Sequence, residues 1–440
     1  MRIVPPPRAA AQLTLLTSRF STSPISRSCS TRVGPLSHLR VLDVSRVVAG
    51  PTATQTLADL GAEVIKVERL TYGDDTRGWG PPFVHDAEGK RTVSAYFLTA
   101  NRGKKSLALD ISTASGQAVM RALAAKSDVF VENFKVGGLA KYGLGYDDLR
   151  ELNRGLVYCS ITGFGQSGPL APRAGYDFLV QAMGGLMSVT GEREGTPGAG
   201  PQKVGVAVTD LLTGLYTTIG ALSGLARKDR TGEGCHVDCS ILDVTVASMA
   251  DQALSYLVSG VVPRRMGNDH SMIVPWSAFS TDDDSIIIAV GNDGQFARMA
   301  DAIGLGHLGT DERYATNAAR VVHREALMPL LQGVLSRRPA AHWIQTFEAV
   351  GVPCGPVCNM QQVFEHPQVV ARGMRMDLPH PTAAEGTVPQ VACPIKLVGE
   401  ELPPATAPPM LGAHSDSVLR EVLGMGQDEI RSLRKEGIVG

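Results

Sequence analysis

The sequence predicts an α/β protein: a large Rossmann-like domain on an open parallel sheet, followed by a smaller α/β domain. Three observations carry this. Short β-prone runs alternate with helical patterns through the first half, the mark of βαβ units and a parallel sheet with crossover helices. A chain of 440 residues exceeds what one hydrophobic core usually holds. The composition, 43% hydrophobic and 19% charged, is that of a globular protein with ordinary buried cores. The expected boundaries are a leader over 1–35, the large domain over 36–255, the small domain over 260–370, and a C-terminal segment over 371–440 that returns to the large domain.

The leader stands apart in composition. No Asp or Glu precedes Asp43, whereas Arg2, Arg8, Arg19, Arg27 and Arg32 are spread among Ser, Thr, Ala and Leu. Arg-rich, Ser-rich and acid-free is the composition of a mitochondrial presequence, with 18–23 as a processing region. The alternative is a tail carrying no address.

The first β-prone run covers 39–44, and Pro51 closes a turn in the position that opens a helix. Helical spacing runs over 52–60 and stops at Gly61. A second strand over 62–68 completes a βαβ unit. Strands over 106–109, 129–132 and 156–162 follow, with helices over 112–126 and 139–150 between them. Residues 193–203 are Gly- and Pro-rich and read as a loop. A helix is expected over 241–257, then a turn over 263–268, a strand over 285–290 and a helix from Phe296, with helical patterns to Val350. The Pro-rich stretch 403–409 reads as an extended surface connection, and a last helix covers 416–423.

The most informative stretch is 204–214, Val-Gly-Val-Ala-Val-Thr-Asp-Leu-Leu-Thr-Gly. An apolar run ends in one acid, and an apolar, Gly- and Ala-rich segment follows with almost no charge until Arg227. This delivers Asp210 to the N-terminus of a core helix. An acid there can cap the helix, or it can be a nucleophilic carboxylate kept ionised by the free N–H groups and the helix dipole. Nothing local decides between the two.

Other features narrow the function classes. A formal net charge of -1 supplies no global basic field, which argues against nucleic acid or an acidic membrane as partner. Any polyanionic ligand must be met by a local cation cluster. No uninterrupted apolar stretch is long enough to span a bilayer. The seven cysteines are an odd, scattered set, which does not read as a disulfide framework. Cys235 and Cys239, like Cys354 and Cys358, have a spacing that could hold zinc, but Cys235 to Cys239 reads as a strand of alternating faces, and no metal is expected. Gly163 to Gly168 fits G-x-G-x-x-G after a strand, yet Pro169 and Pro172 stand where a phosphate-binding helix would start. Glu68 ends the second strand, where a ribose-binding acid could sit, but the first turn lacks the glycine fingerprint.

Several segments, taken together and in order, resemble the class III CoA-transferase family (CaiB/BaiF type), which also contains the α-methylacyl-CoA racemases. They are Val48-Ala49-Gly50-Pro51, residues 57–68, Asn101 to Ser106, Asp128 to Phe134, Gly175-Tyr176-Asp177-Phe178, the Asp210 segment, Gly291-Asn292-Asp293-Gly294-Gln295, and residues 351–356. The resemblance covers nearly everything after residue 38. It implies that Asp210 is the nucleophile and that the protein is an interlocked homodimer. It also implies that Val48, Ala49, Arg69, Leu109, Asn133 and Phe134 contact CoA, which is a substrate here and not a resident cofactor. Lys141 occupies a position where some relatives carry Arg, so a phosphate contact survives but a bidentate one does not. Ala174 stands where some relatives carry a Lys, so a CoA contact there is lost, and Arg173 next to it is the candidate to substitute for that contact.

The implied reaction moves CoA from succinyl-CoA, or a similar acyl-CoA, to a short dicarboxylate such as glutarate or hydroxymethylglutarate. Other acids, of the formate, oxalate or carnitine type, are the alternatives within transfer. The phosphate end of CoA needs cations, for which Arg69, Lys104, Lys105, Lys135 and Lys141 are candidates. Arg102 is the candidate for the far carboxylate of a diacid, because a guanidinium offers a planar two-point match; the alternatives are a CoA phosphate contact or a plain surface Arg. Gly291, Gly294 and Gln295 belong to a segment flexible enough to approach and shield the site, where backbone N–H groups must hold an oxyanion; the alternative is an ordinary strand-to-helix turn. The rival reaction, racemisation, needs two acid/base groups on opposite faces of the α-carbon. Relatives with that activity carry His where this chain has Tyr176, and a neutral Tyr is a poor base at neutral pH.

Overall fold

A computed structural model describes residues 33–440; residues 1–32, which hold nearly all of the expected leader, lie outside the described residues. The chain forms two compact units: residues up to 184 with 205–250 and 372–440, and residues 185–204 with 251–371. Residues 185–204 and 251–255, which the sequence reading assigned to the large domain, pack in the second unit.

The first unit is built on six strands lying side by side in the order Lys104–Ala108, Glu63–Glu68, Arg40–Asp43, Val129–Glu132, Val157–Thr162, His236–Ser240. Every neighbouring pair is parallel. In chain order this is third, second, first, fourth, fifth, sixth, the doubly wound Rossmann order. Glu63–Glu68 and Val157–Thr162 are buried along their whole length, as strands covered on both faces must be. Alternate residues feed two cores. Leu42, Ile65, Leu107, Phe130 and Tyr158 pack with the helix Ala114–Ala124 and with the C-terminal helices Ser415–Leu423 and Gln427–Lys435. Val41, Val64, Val129, Val157 and Cys159 pack on the other face with the helices Ala49–Asp59 and Val208–Thr231.

The C-terminal segment returns to this sheet: Gly440 N–H donates to Ala108 O at 3.1 Å, and Val439 bridges Leu109. The Pro-rich stretch before it has no regular structure, but its Pro408 and Pro409 are buried, so it is held against the unit and not merely laid on its surface.

Two expected helices are broken. The 139–150 pattern becomes a short 3₁₀ turn, Ala140–Tyr142, and a helix Tyr146–Leu152, because Gly143 takes a left-handed φ of 65° between them. The 241–257 pattern becomes Ile241–Ser248 and Ala250–Ser259, bent by 74°, with Ala250 at φ 42°. No Gly or Pro marks that break, so the periodicity gave no warning of it. The helix Gln427–Lys435 was also unforeseen; its sequence is mostly polar and buries only Ile430. Among the described residues no single helix is long and apolar enough to cross a membrane.

The second unit holds a three-stranded antiparallel sheet, ordered Cys354–Pro356, Ser285–Ala289, Trp276–Ser280. Its core gathers Phe296, Leu327, Trp343 and Phe347. Arg320 is fully buried and satisfied, donating to the carbonyls of Val274 and Tyr314 and to Asp293.

Candidate active site

The strand order reverses between Arg40–Asp43 and Val129–Glu132, so the loops leaving their carboxyl ends diverge and open a crevice. Two cavities lie at these strand ends. One, of about 490 Å³, is lined by Arg46, Arg69, Leu70, Leu109, Phe134 and Tyr142, among others. The other, of about 370 Å³, is lined by Val48, Ala49, Asn133, Lys135, Arg173, Tyr176 and Asp210, among others. Arg46 and Phe134 line both, so the two are neighbours across one shared wall.

The two loops that form this wall are cross-linked. Arg46 N–H donates to Asn133 Oδ1 at 3.1 Å, and Asn133 Nδ2 returns a bond of 2.7 Å to Arg46 O. Phe134 N–H donates to Glu132 Oε2 at 2.7 Å. Burial pushes the Glu132 carboxyl up to about 7 against the pull of Ser160 and of the Phe134 N–H. On the first loop Val47 sits at φ 73°, unusual for a β-branched residue, and both oxygens of Asp74 accept its N–H at 3.3 Å. Asp74 is in turn paired with Lys66 at 2.9 Å, both side chains being fully buried.

A second buried knot underlies the same loop. Asp43 accepts from Ser45 N–H at 2.9 Å, Thr54 Oγ1 at 2.6 Å and Lys104 Nζ at 2.9 Å. Burial alone would raise the Asp43 carboxyl, but Lys104 and Lys66 hold it far below the usual range.

Asp210 is 9% exposed and lies in the first turn of the helix Val208–Thr231. Small residues let this helix come close. A Cβ on Gly214 would sit 2.7 Å from Ala49 O, so only glycine allows that approach to the helix Ala49–Asp59. Asp210 does not cap its helix. That role belongs to Asp177, whose Oδ1 accepts Thr209 N–H at 2.9 Å, Thr209 Oγ1 at 2.6 Å and Asp210 N–H at 3.4 Å. Burial, and then the Asp177 charge, push the Asp210 carboxyl up to about 7. Among the described residues no cation pairs with it. The sequence expectation that helix N–H groups keep Asp210 ionised is therefore corrected: those groups serve Asp177.

The other expected site residues fall in different places. Val48, Ala49, Asn133, Phe134 and Tyr176 line the cavity with Asp210, while Arg69 and Leu109 line the larger one. Arg69 is half exposed and donates to Asp75 at 2.5 Å; Arg46 holds the other Asp75 oxygen at 2.8 Å. Lys141 stands 4.6 Å from the ring of Tyr142, a wall of the larger cavity. Gly291, Gly294 and Gln295 lie in the second unit, where Gln295 Oε1 accepts Gly291 N–H at 2.7 Å and Asn292 caps the helix Asp293–Ala302.

Arg102 is a correction. Its guanidinium clamps Asp59, with Nε–Oδ1 at 2.9 Å and Nη2–Oδ2 at 2.5 Å, and its Nη1 donates to Val391 O at 2.8 Å. With 7% of the side chain exposed it is structural and does not line either cavity. Lys104 is likewise buried on Asp43, Pro51 O and Asn101, and Lys105 pairs with Glu63 and Glu421, so neither is free for a phosphate. Glu68 is a buried partner of Arg77 and Ser106, in line with the structural reading of that strand end.

The glycine-rich G-x-G-x-x-G stretch serves backbone packing: a Cβ on Gly163 would lie 2.5 Å from Gly175 Cα, and no helix follows before Asp177. Cys235 and Cys239 flank and enter the strand His236–Ser240, as their alternation predicted. Asp177 and Glu132 were missed as site residues. The only local signal for Asp177 is an acid opening the helix Asp177–Met183, which is common at helix starts.

This arrangement offers a buried, unpaired carboxylate of raised basicity in a cavity beside a second cavity with cations at its rim. It suits a carboxylate attacking an acyl carbon. Comparison with known proteins agrees. The chain matches the family model described as CoA-transferase family III over residues 36–415. It is 47% identical to the succinate–glutarate CoA-transferase of Agrobacterium fabrum, over 89% of this chain and 96% of that protein. It is 42% identical to the succinyl-CoA:glutarate CoA-transferase of Homo sapiens, over 92% of this chain and 90% of that one. A crystal structure of a CaiB/BaiF family protein from Brucella suis superposes with a TM-score of 0.78 at 46% identity, covering 89% of this chain and all of that one. The chain belongs to CoA-transferase family III and is a CoA-transferase.

Proposed function

We propose that the protein moves CoA from succinyl-CoA to glutarate or a close dicarboxylate, with Asp210 as the nucleophile. The observation that carries the role of Asp210 is its place as a buried, unpaired carboxylate, raised to about 7, on the wall of the smaller cavity. The substrates are those named for relatives that span nearly the whole chain at 42–47% identity.

The exchange then runs in balanced steps. Ionised Asp210 attacks the thioester carbonyl; the C–S bond breaks, CoA leaves as thiolate, and a mixed anhydride remains. The thiolate attacks the aspartyl carbonyl, releasing succinate and leaving an aspartyl–CoA thioester. Glutarate attacks that thioester, giving a second anhydride and thiolate. The thiolate attacks the glutaryl carbonyl, forming glutaryl-CoA and restoring the Asp210 carboxylate. Each step exchanges one acyl bond for another, so covalent catalysis divides one difficult transfer into easier ones. A carboxyl group raised to about 7 is a stronger nucleophile than an ordinary one, yet still ionised in a slightly alkaline medium.

In this reading Val48, Ala49, Asn133 and Phe134 line the path of the thiol arm, and Arg69, Leu109 and Lys141 flank the nucleotide end. The exposed apolar side chains of Leu215, Tyr216 and Ile219, and of Leu254, Leu257 and Val258, support a homodimer in which a second subunit covers them. The acid-free, Arg-rich residues 1–35 support delivery to the mitochondrial matrix. The test is incubation with succinyl-CoA and labelled glutarate, followed by separation of the thioesters. Glutaryl-CoA should appear with the parent protein and be absent with Asp210→Ala. Transfer surviving that substitution refutes the nucleophile; α-proton exchange without transfer refutes the reaction.

A further inference from the structure

If the acids are dicarboxylates, as proposed above, one carboxylate reacts at Asp210 and the other must be held. A second carboxylate taken from water into a cavity needs a cation and hydrogen bonds in compensation. Among the described residues, the cations lining the cavity of Asp210 are Arg46, Lys135 and Arg173. Arg46 is already engaged: its Nη1 donates to Asp75, and its backbone is locked to Asn133 on both sides. Lys135 follows Phe134 on the wall shared with the larger cavity and sits in a turn closed by Gly138 N–H to Lys135 O.

Arg173 differs from Arg46 in having no carboxylate partner among the described ion pairs, which is true of Lys135 as well, and from Lys135 in carrying a planar guanidinium, whose carbon stands 5.6 Å from the centre of the Phe164 ring. Its backbone is fixed. Arg173 N–H donates to Leu170 O at 2.9 Å, and two residues on, Gly175 packs directly on Gly163 at the end of the strand Val157–Thr162. Two residues beyond that, Asp177 accepts the first N–H groups of the helix that carries Asp210. One short, anchored segment therefore ties the guanidinium to the end of the helix that presents the nucleophile.

We infer that Arg173 is a specificity-determining residue that receives the second carboxylate of the diacid and so selects diacids over monoacids. Its planar fork matches a carboxylate at two points, which a lysine does not. Lys135 and Arg46 remain for the phosphates and the wall.

The inference is tested by measuring kcat/KM for the acceptor with succinyl-CoA as donor. Glutarate is compared with valerate, which has the same carbon count but one carboxylate replaced by methyl. In this double-displacement scheme the acceptor's kcat/KM reads only the second half-reaction, so the donor's own carboxylate does not enter. Arg173→Gln should lower kcat/KM for glutarate by about 10- to 100-fold, the effect of losing hydrogen bonds to a charged group. The loss should fall in KM, with kcat at saturating glutarate kept within about threefold and valerate little changed. Arg173→Lys should recover part of the loss. Equal losses for both acids, an unchanged glutarate KM, or the same collapse of selectivity in Lys135→Gln instead would overturn the assignment. A parent enzyme that forms no glutaryl-CoA would instead refute the proposed reaction itself.

Discussion

Asp210 should be a residue that the fold tolerates at a cost set by pH. Its carboxyl ionises near 3.8 in an unfolded chain and near 7 in the folded one, mainly through burial and secondly through Asp177. Between those values the unfolded chain gives up its proton while the folded chain keeps it, so stability falls as pH rises from about 4 to about 7 and the penalty is constant above that. A shift of about three units corresponds to roughly 4 kcal/mol. Asp210→Asn removes the ionisation and keeps the size. It should therefore stabilise the protein by about 4 kcal/mol at pH 8 and only by about 1.5 kcal/mol at pH 5, while abolishing transfer. Urea unfolding of parent and variant at the two pH values reads the difference directly. A stability gain that is the same at both values refutes the reasoning, because it would mean that Asp210 carries no raised carboxyl. The same shift governs rate: kcat/KM for the thioester should fall below about pH 7 as Asp210 gains its proton. Asp177→Asn keeps an acceptor for Thr209 N–H but removes the neighbouring charge, and should move that limb to lower pH. Because burial is the larger cause, the limb should remain above the ordinary carboxylate range; a limb that moves upward contradicts the account.

Two further outcomes follow from the packing. Arg102→Ala strips Asp59 of its clamp inside the unit, where burial already raises that carboxyl, and should destabilise the protein by roughly 3–5 kcal/mol while the glutarate KM stays within twofold; a KM rise without loss of stability would restore Arg102 to the substrate. Gly163→Ala places a Cβ 2.5 Å from Gly175 Cα, and should cost about 1–3 kcal/mol in thermal unfolding and displace the segment that carries Arg173 and Tyr176, lowering transfer.

Local pattern carried the sheet well. The strands at 40–43, 63–68, 129–132 and 157–162 were legible because a fully buried parallel strand is a short apolar run between turn signals. Asp210 was legible for the same reason, one acid entering a long apolar helix. The breaks at Gly143 and Ala250 and the polar helix Gln427–Lys435 were not, since neighbours distant in sequence set them. Arg102 misled because its partner, Asp59, is 43 residues away on another element, and a cation that looks free in sequence can be bound in the fold. Lys104 failed in the same way, 61 residues from Asp43.

By itself the sequence determined the alternation of strands and helices, the position of Asp210 at a helix start and the family pattern, because periodicity, turn residues and composition are local properties of a chain. Only the tertiary structure decided what surrounds that carboxylate. Its raised basicity comes from burial and from Asp177, 33 residues earlier in the chain, and the choice of which cations stay free comes from which acids fold against them. Desolvation and charge pairing depend on distances in space, and spacing along the chain does not encode those distances.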